Sequence, residues 1–218
     1  MVNKKIKVIN KLSPFFKCPG GKRRLLIELH KHLPKDFFTN NYTYIEPFVG
    51  GGALALSILE QSSKQKIIIN DSNLHIANLW KSIKHHPKEM MQHYDFLIKF
   101  YKEDVNRYLT IRDNLPLLNK NFCTLEAEKL LNSATEFLYL NKNTYNGLIR
   151  FNKSGKFNAP PGNSLNPNLL NSSEPIDKIS LISLATLICN IPPSFGSSLL
   201  RIIIRSSPLN FTFMSVCF

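Results

Sequence analysis

The chain has 218 residues, of which 43% are hydrophobic and 20% charged, values that exclude bulk disorder. That length suits one sizeable domain, or a domain carrying an inserted subdomain. Lys and Arg number 28 against 15 Asp and Glu, a net charge of +13, which favours a polyanionic partner, nucleic acid before membrane.

The basic surplus is uneven: residues 1–35 hold ten Lys/Arg and a single acid, Glu28. Met1–Lys11 is basic but no apolar run follows it, so it does not read as a signal peptide. Ser13–Lys22 (SPFFKCPGGK) is a loop, because Pro19-Gly20-Gly21 cannot sit inside a helix. A helix follows, with Leu25, Leu26, Leu29 and Leu33 on one face and Pro34 ending it. Tyr42–Glu46 reads as a short buried strand, Pro47–Gly52 as a glycine-rich turn and Ala53–Glu60 as the helix leaving it. Lys66–Asn70 reads as a second strand and Leu74–His85 as a helix. The order strand, glycine turn, helix, strand predicts a mononucleotide-binding half of a parallel, doubly wound α/β sheet.

From Pro87 the pattern changes. Helical periodicity marks 87–112 and 125–141. Asn143–Gly162 is dense in Asn, Gly, Lys and aromatics and reads as an exposed hairpin turning at Asn152–Gly155. The expected organisation is an N-terminal arm and cofactor-binding region at 1–85, an inserted helical and hairpin subdomain at 86–162, and an atypical tail at 163–218. In that tail no acid follows Asp177, and Ile202–Ile204 and Phe211–Val216 are the candidate strands. Ile179–Leu200 is uncharged but is interrupted by Pro192, Pro193 and Gly196, so it makes a poor membrane span. The four cysteines, Cys18, Cys123, Cys189 and Cys217, form no CxxC pair, which argues against zinc and disulfide frameworks and suits a reducing cytoplasm.

Three places could carry chemistry. Glycines at 50–52 allow close backbone approach to a ligand, and the helix behind them offers unsatisfied N–H groups. Gly50, Gly52 and Ala55 meet a loose dinucleotide pattern, which leaves an NAD-linked oxidoreductase or a mere packing turn open. Asp71 ends the second strand, where a carboxylate can accept hydrogen bonds from ribose hydroxyls or cap the next helix. Gly20-Gly21-Lys22 is not a P-loop, since Arg23 stands where Ser or Thr is required. In the third place, Lys142, Arg150, Lys153 and Lys156 alternate with Tyr145, Phe151 and Phe157 and with Asn143, Asn146, Asn152 and Asn158. That mixture suits phosphate and base contacts, or a solvated loop over a small aromatic cluster. The histidines, among them His30, His32, His85 and His86, are expected at the surface, and Trp80 in the core.

Together FFKCPGGK, YIEPFVGGGA, IINDSN and FLYLNKNTYNGLIRFNKSGKFNAPPG resemble the Dam-type (D12 class) adenine-N6 DNA methyltransferases over residues 13–162. The resemblance implies a Rossmann-like, S-adenosylmethionine-dependent methyltransferase sheet with an inserted target-recognition subdomain. It also implies duplex DNA as substrate, and a restriction–modification setting with a cognate endonuclease or an orphan modification system. By position it implies cofactor roles for Cys18, Gly20, Gly21, Lys22, Glu46, Pro47, Phe48, Gly50, Gly52 and Asp71. It likewise implies DNA contacts for Tyr145, Asn146, Arg150, Asn152, Lys153, Lys156 and Asn158. Two departures stand out. Cys18 replaces the family's Trp, and the D-P-P-Y catalytic string is absent, Asn190–Phe195 (NIPPSF) being the nearest to it, so no catalytic residue is assigned. Loss of acids and of family likeness together predicts a truncated or frameshifted chain after about residue 177, with an incomplete sheet. The alternative to an active enzyme is an inactive remnant that at most binds DNA.

Overall fold

The computed structural model describes residues 14–62, 65–100, 104–119 and 125–162, together with the backbone of strands at 186–187, 201–206 and 211–216. Two compact units emerge. The first takes in 21–70 and the three late strands; the second takes in Phe15–Gly20 and the chain from Asp71.

The first unit is built on β1 (Tyr42–Glu46), whose burial alternates so that Tyr42, Tyr44 and Glu46 face inward. The helix α2 (Ala53–Gln61) is buried from Ala53 through Leu59, with no polar stripe, as an internal helix should be. It returns the chain to β2 (Lys66–Ile69), where Ile67, Ile68 and Ile69 are all buried, the continuous apolar run typical of a parallel strand. β1 and β2 pair in parallel with Thr43 opposite Lys66 and Glu46 opposite Ile69.

The remainder of the sheet departs from the doubly wound expectation. Its order is β3 (Thr186–Leu187), β2, β1, β4 (Arg201–Ser206), β5 (Phe211–Val216). β3 runs parallel to β2, but β4 is antiparallel to both β1 and β5. The β4–β5 register runs from Arg201 opposite Val216 to Ser206 opposite Phe211. The result is a mixed α/β sheet with a parallel β1–α2–β2 unit, compatible with an incomplete methyltransferase fold.

A 3-10 turn at Arg23–Leu25 precedes α1 (Leu26–Lys31). Leu26 and Leu29 are buried as expected, but Leu25 is half exposed. The tighter 3-10 winding shifts the phase of the stripe by one residue. His30, expected at the surface, is buried and hydrogen-bonds the Ser57 hydroxyl at 2.8 Å.

The second unit is helical: α3 (Leu74–His85), α4 (Pro87–Phe100), α5 (Val105–Asn114) and α6 (Ala127–Asn143). Pro87 opens α4, where a missing N–H costs nothing. The carboxylate of Asp104 caps α5 by accepting from Asn106 N and Arg107 N. Helix α6 packs against α3, α4 and α5, and its inward face runs Leu130, Ala134, Phe137, Leu138. Trp80, Tyr94, Tyr108 and Tyr139 fill the core between them. Trp80 takes Phe15 edge-on at 5.2 Å and Phe16 at 6.5 Å, which anchors the Phe15–Gly20 segment. Burial raises the phenols of Tyr94 and Tyr108 far above the usual range, and the Tyr108 hydroxyl donates to Ala159 O at 3.0 Å.

Candidate functional site

The glycine turn of the first unit is shaped by its own hydrogen bonds. Asn70 N donates to Glu46 O at 3.0 Å, and Val49 N donates to Asn70 O at 2.8 Å, so the turn is held across the C-terminal ends of β1 and β2. Gly50 and Gly52 both adopt left-handed backbone, with φ of 48° and 69°. A side chain there would be strained, so glycine is what the turn demands. Gly52 is also the N-cap of α2 and supplies no side-chain acceptor, which leaves the first N–H groups of α2 without side-chain capping. Pro47 and Glu46 are buried, and Phe48 is half-buried. Lys22 is half-buried ahead of the 3-10 turn, and Gly21 is exposed.

In the second unit, Asp71 is half-buried and its Oδ1 accepts from Asn73 N at 2.9 Å. Asn73, not Asp71, caps α3, accepting from His75 N at 3.0 Å and Ile76 N at 3.4 Å. The capping alternative for Asp71 therefore falls to its neighbour, and the Asp71 carboxylate is aimed by a tight turn instead. Gly20 is exposed and left-handed at φ 74°, and Cys18 is half-buried. The SPFFKCPGGK loop is thus divided after Gly20, with Gly21 and Lys22 in the other unit.

The hairpin forms, although as a bridge between Phe151 and Phe157 rather than as two strands. Asn152 N donates to Lys156 O, and the Asn152 side chain accepts from Ser154 Oγ at 2.7 Å and Lys156 N at 2.9 Å. Asn152 is consequently a turn-former. Arg150 binds back onto Asn158, through Nε to Oδ1 at 2.9 Å and Nη2 to the carbonyl at 2.7 Å. Lys153 and Lys156 are exposed, as are Tyr145 and Asn146. Lys142 is not on the hairpin: it lies in the last turn of α6, half-buried, and burial chiefly, with the nearby Lys17 charge, lowers its pKa.

Two residues that sequence reasoning passed over organise this unit. His75, 6% exposed, is stacked between Phe137 (5.3 Å) and Phe151 (5.2 Å), and burial lowers its pKa to about 4. Asn141, with no exposed surface, hydrogen-bonds both Lys17 and Gly147. A buried polar residue in the otherwise apolar FLYLN run was the available signal for Asn141. His75 carried none, since its stacking partners lie far along the chain. The Asn190–Phe195 string lies outside the described residues. Among the described residues no helix is long and apolar enough to cross a membrane.

Comparison with known proteins gives the same direction as the motifs. The profile of the D12 class N6 adenine-specific DNA methyltransferases matches residues 19–190. The type II methyltransferase M.MjaIII of Methanocaldococcus jannaschii is 32% identical over 184 residues, covering 82% of this chain and 62% of its own length. The type II methyltransferase M1.LlaDCHI of Lactococcus lactis is 31% identical over 78% of this chain and 54% of its own length. The DNA adenine methylase of Serratia marcescens is 33% identical over 70% of this chain and 50% of its own length. The chain spans about half to three-fifths of the length of these relatives. With its profile match covering most of the sequence, the chain belongs to the D12 class N6 adenine-specific DNA methyltransferase family.

Proposed function

We propose that this chain is the cofactor- and DNA-binding portion of a site-specific adenine-N6 DNA methyltransferase that uses S-adenosylmethionine. The observation that carries this reading is the turn after β1, with Gly50 and Gly52 left-handed and α2 opening without a side-chain cap. Such a turn admits a ligand against bare backbone, and the N-terminus of α2 favours its negative groups. When bound, the cofactor supplies an electrophilic methyl group on a sulfonium sulfur. Asp71 accepts the ribose hydroxyls, Glu46, Pro47 and Phe48 shape the turn, and Lys22 meets the cofactor carboxylate. Gly20 and Gly21 keep their loop low, and Cys18 offers a smaller surface than the family's Trp.

Residues 86–162 act as the inserted recognition subdomain. Tyr145 and Asn146 approach the bases, Lys153 and Lys156 bind phosphate, and Asn152, Arg150 and Asn158 hold the hairpin in shape. The setting is a restriction–modification or orphan modification system. A second reading, DNA binding without methyl transfer, is favoured by one observation: the sequence contains no D-P-P-Y string.

Asp71→Ala separates the roles. Calorimetric affinity for S-adenosylhomocysteine should fall at least tenfold while duplex DNA affinity stays within threefold and still declines steeply with salt. Unchanged S-adenosylhomocysteine affinity in the variant would contradict the assignment.

A further inference from the structure

Asn141 makes an unusual set of bonds for a side chain in the last turn of a helix. Its Oδ1 accepts from Lys17 N at 3.0 Å, and its Nδ2 donates to Lys17 O at 2.8 Å and to Gly147 O at 3.1 Å. One amide therefore reads both polar groups of the Lys17 backbone, as a β-strand neighbour would, and holds the Tyr145–Gly147 turn with its second hydrogen. No part of Asn141 is exposed, its bond to Gly147 O is buried and its two bonds to the Lys17 backbone are part-buried, so leaving its amide unpaired is costly. The Thr144 hydroxyl donates to Asn141 O at 3.0 Å and secures the same helix end.

The approach is closer than a side chain at 147 would permit. Gly147 is left-handed at φ 70°, and a Cβ added there would collide with Lys17 Cβ and sit 2.9 and 3.0 Å from Lys17 Cδ and Cγ. Asn146 beside it is left-handed as well, at φ 51°, a conformation that asparagine tolerates but that still stores strain. The floor of the turn is pinned while Tyr145 and Asn146 remain exposed. The Lys17 charge, after burial, also lowers the pKa of the half-buried Lys142, so positive potential gathers around these two residues.

We propose that Asn141 is a positioning residue, which locks the Phe15–Gly20 segment and the Tyr145–Gly147 turn into one register so that the turn is presented to DNA in a single geometry. This rests on the function proposed above. Asn141 touches neither ligand in the proposal; it acts through the two backbone segments that it joins.

The test uses the full 218-residue chain, with duplex DNA affinity by fluorescence anisotropy, S-adenosylhomocysteine affinity by calorimetry and folding by circular dichroism. Asn141→Ala, and Asn141→Asp, which keeps the acceptor and loses both donor hydrogens, should each weaken DNA binding tenfold or more in protein that is still folded. If Asn141→Ala does not fold, the Asp variant and a double-mutant cycle decide. Gly147→Ala should weaken DNA binding at least tenfold in the native background and by clearly less in a Lys17→Gly background, where the colliding atoms are gone and only the left-handed strain at φ 70° remains. Native-like DNA affinity in Asn141→Asp, or an equal effect of Gly147→Ala in both backgrounds, overturns the proposal. If the native chain binds neither DNA nor S-adenosylhomocysteine, the functional reading itself fails and takes this inference with it. Native binding with unaffected variants overturns the Asn141 role alone.

Discussion

His75 sits between two phenylalanine rings with 6% of its surface exposed, and its pKa falls from 6.5 to about 4 because burial disfavours the cation. The unfolded chain then binds more protons than the folded one between pH 6.5 and 4. Stability is therefore complete above about pH 6.5 and is lost as pH falls through that window, by about 3 kcal/mol from this group. Burial also lowers His30 and His93, which adds to the slope in the same direction. His75→Phe, keeping an aromatic ring between its neighbours, should remove most of the His75 contribution. Urea unfolding at pH 7 and pH 4.5 measures it: the native chain should lose clearly more stability between the two than the variant, and equal losses would refute the burial argument.

Among the elements, β1, α2 and β2 show what local pattern can convey. Alternation in Tyr42–Glu46, the glycines at 50–52 and the isoleucine run at 67–69 each carry a nearest-neighbour signal: β1 has the expected bounds, and α2 and β2 differ from theirs by one residue at the C-terminal end. Leu25 went wrong because a 3-10 turn resets the helical phase, which apolar spacing does not encode. The antiparallel return of β4 and the bonds between Lys17 and Asn141, 124 residues apart, depend on long-range pairing and had no local signature. The glycine turn yields its own prediction. Gly52 at φ 69°, ψ 27° is left-handed, so Gly52→Ala should cost about 1–2 kcal/mol in chemical denaturation. The same variant should weaken S-adenosylhomocysteine binding, because a Cβ then stands beside the open end of α2. A variant as stable as the native chain would show that the turn relaxes without strain.

For the whole molecule, family membership and chemistry are separate questions. The profile match across residues 19–190 places the chain in its family, while the relatives are longer and this sequence lacks the D-P-P-Y string. The net charge of +13 accords with a polyanionic substrate and does not choose among cofactors. Of the candidate site, the glycine turn after β1 was legible because left-handed backbone demands glycine at Gly50 and Gly52. The hairpin was legible only in composition: which asparagine builds it and which residue faces outward depended on contacts such as Asn152 to Lys156 and Arg150 to Asn158. The loose match of Gly50, Gly52 and Ala55 to a dinucleotide pattern leaves one rival ligand class for the same turn. Parallel calorimetric titrations of the native chain with S-adenosylmethionine and with NADH separate the two ligand classes. S-adenosylmethionine should bind saturably at one-to-one stoichiometry and NADH should give no heat; saturable binding of NADH with no heat from S-adenosylmethionine would refute the cofactor assignment.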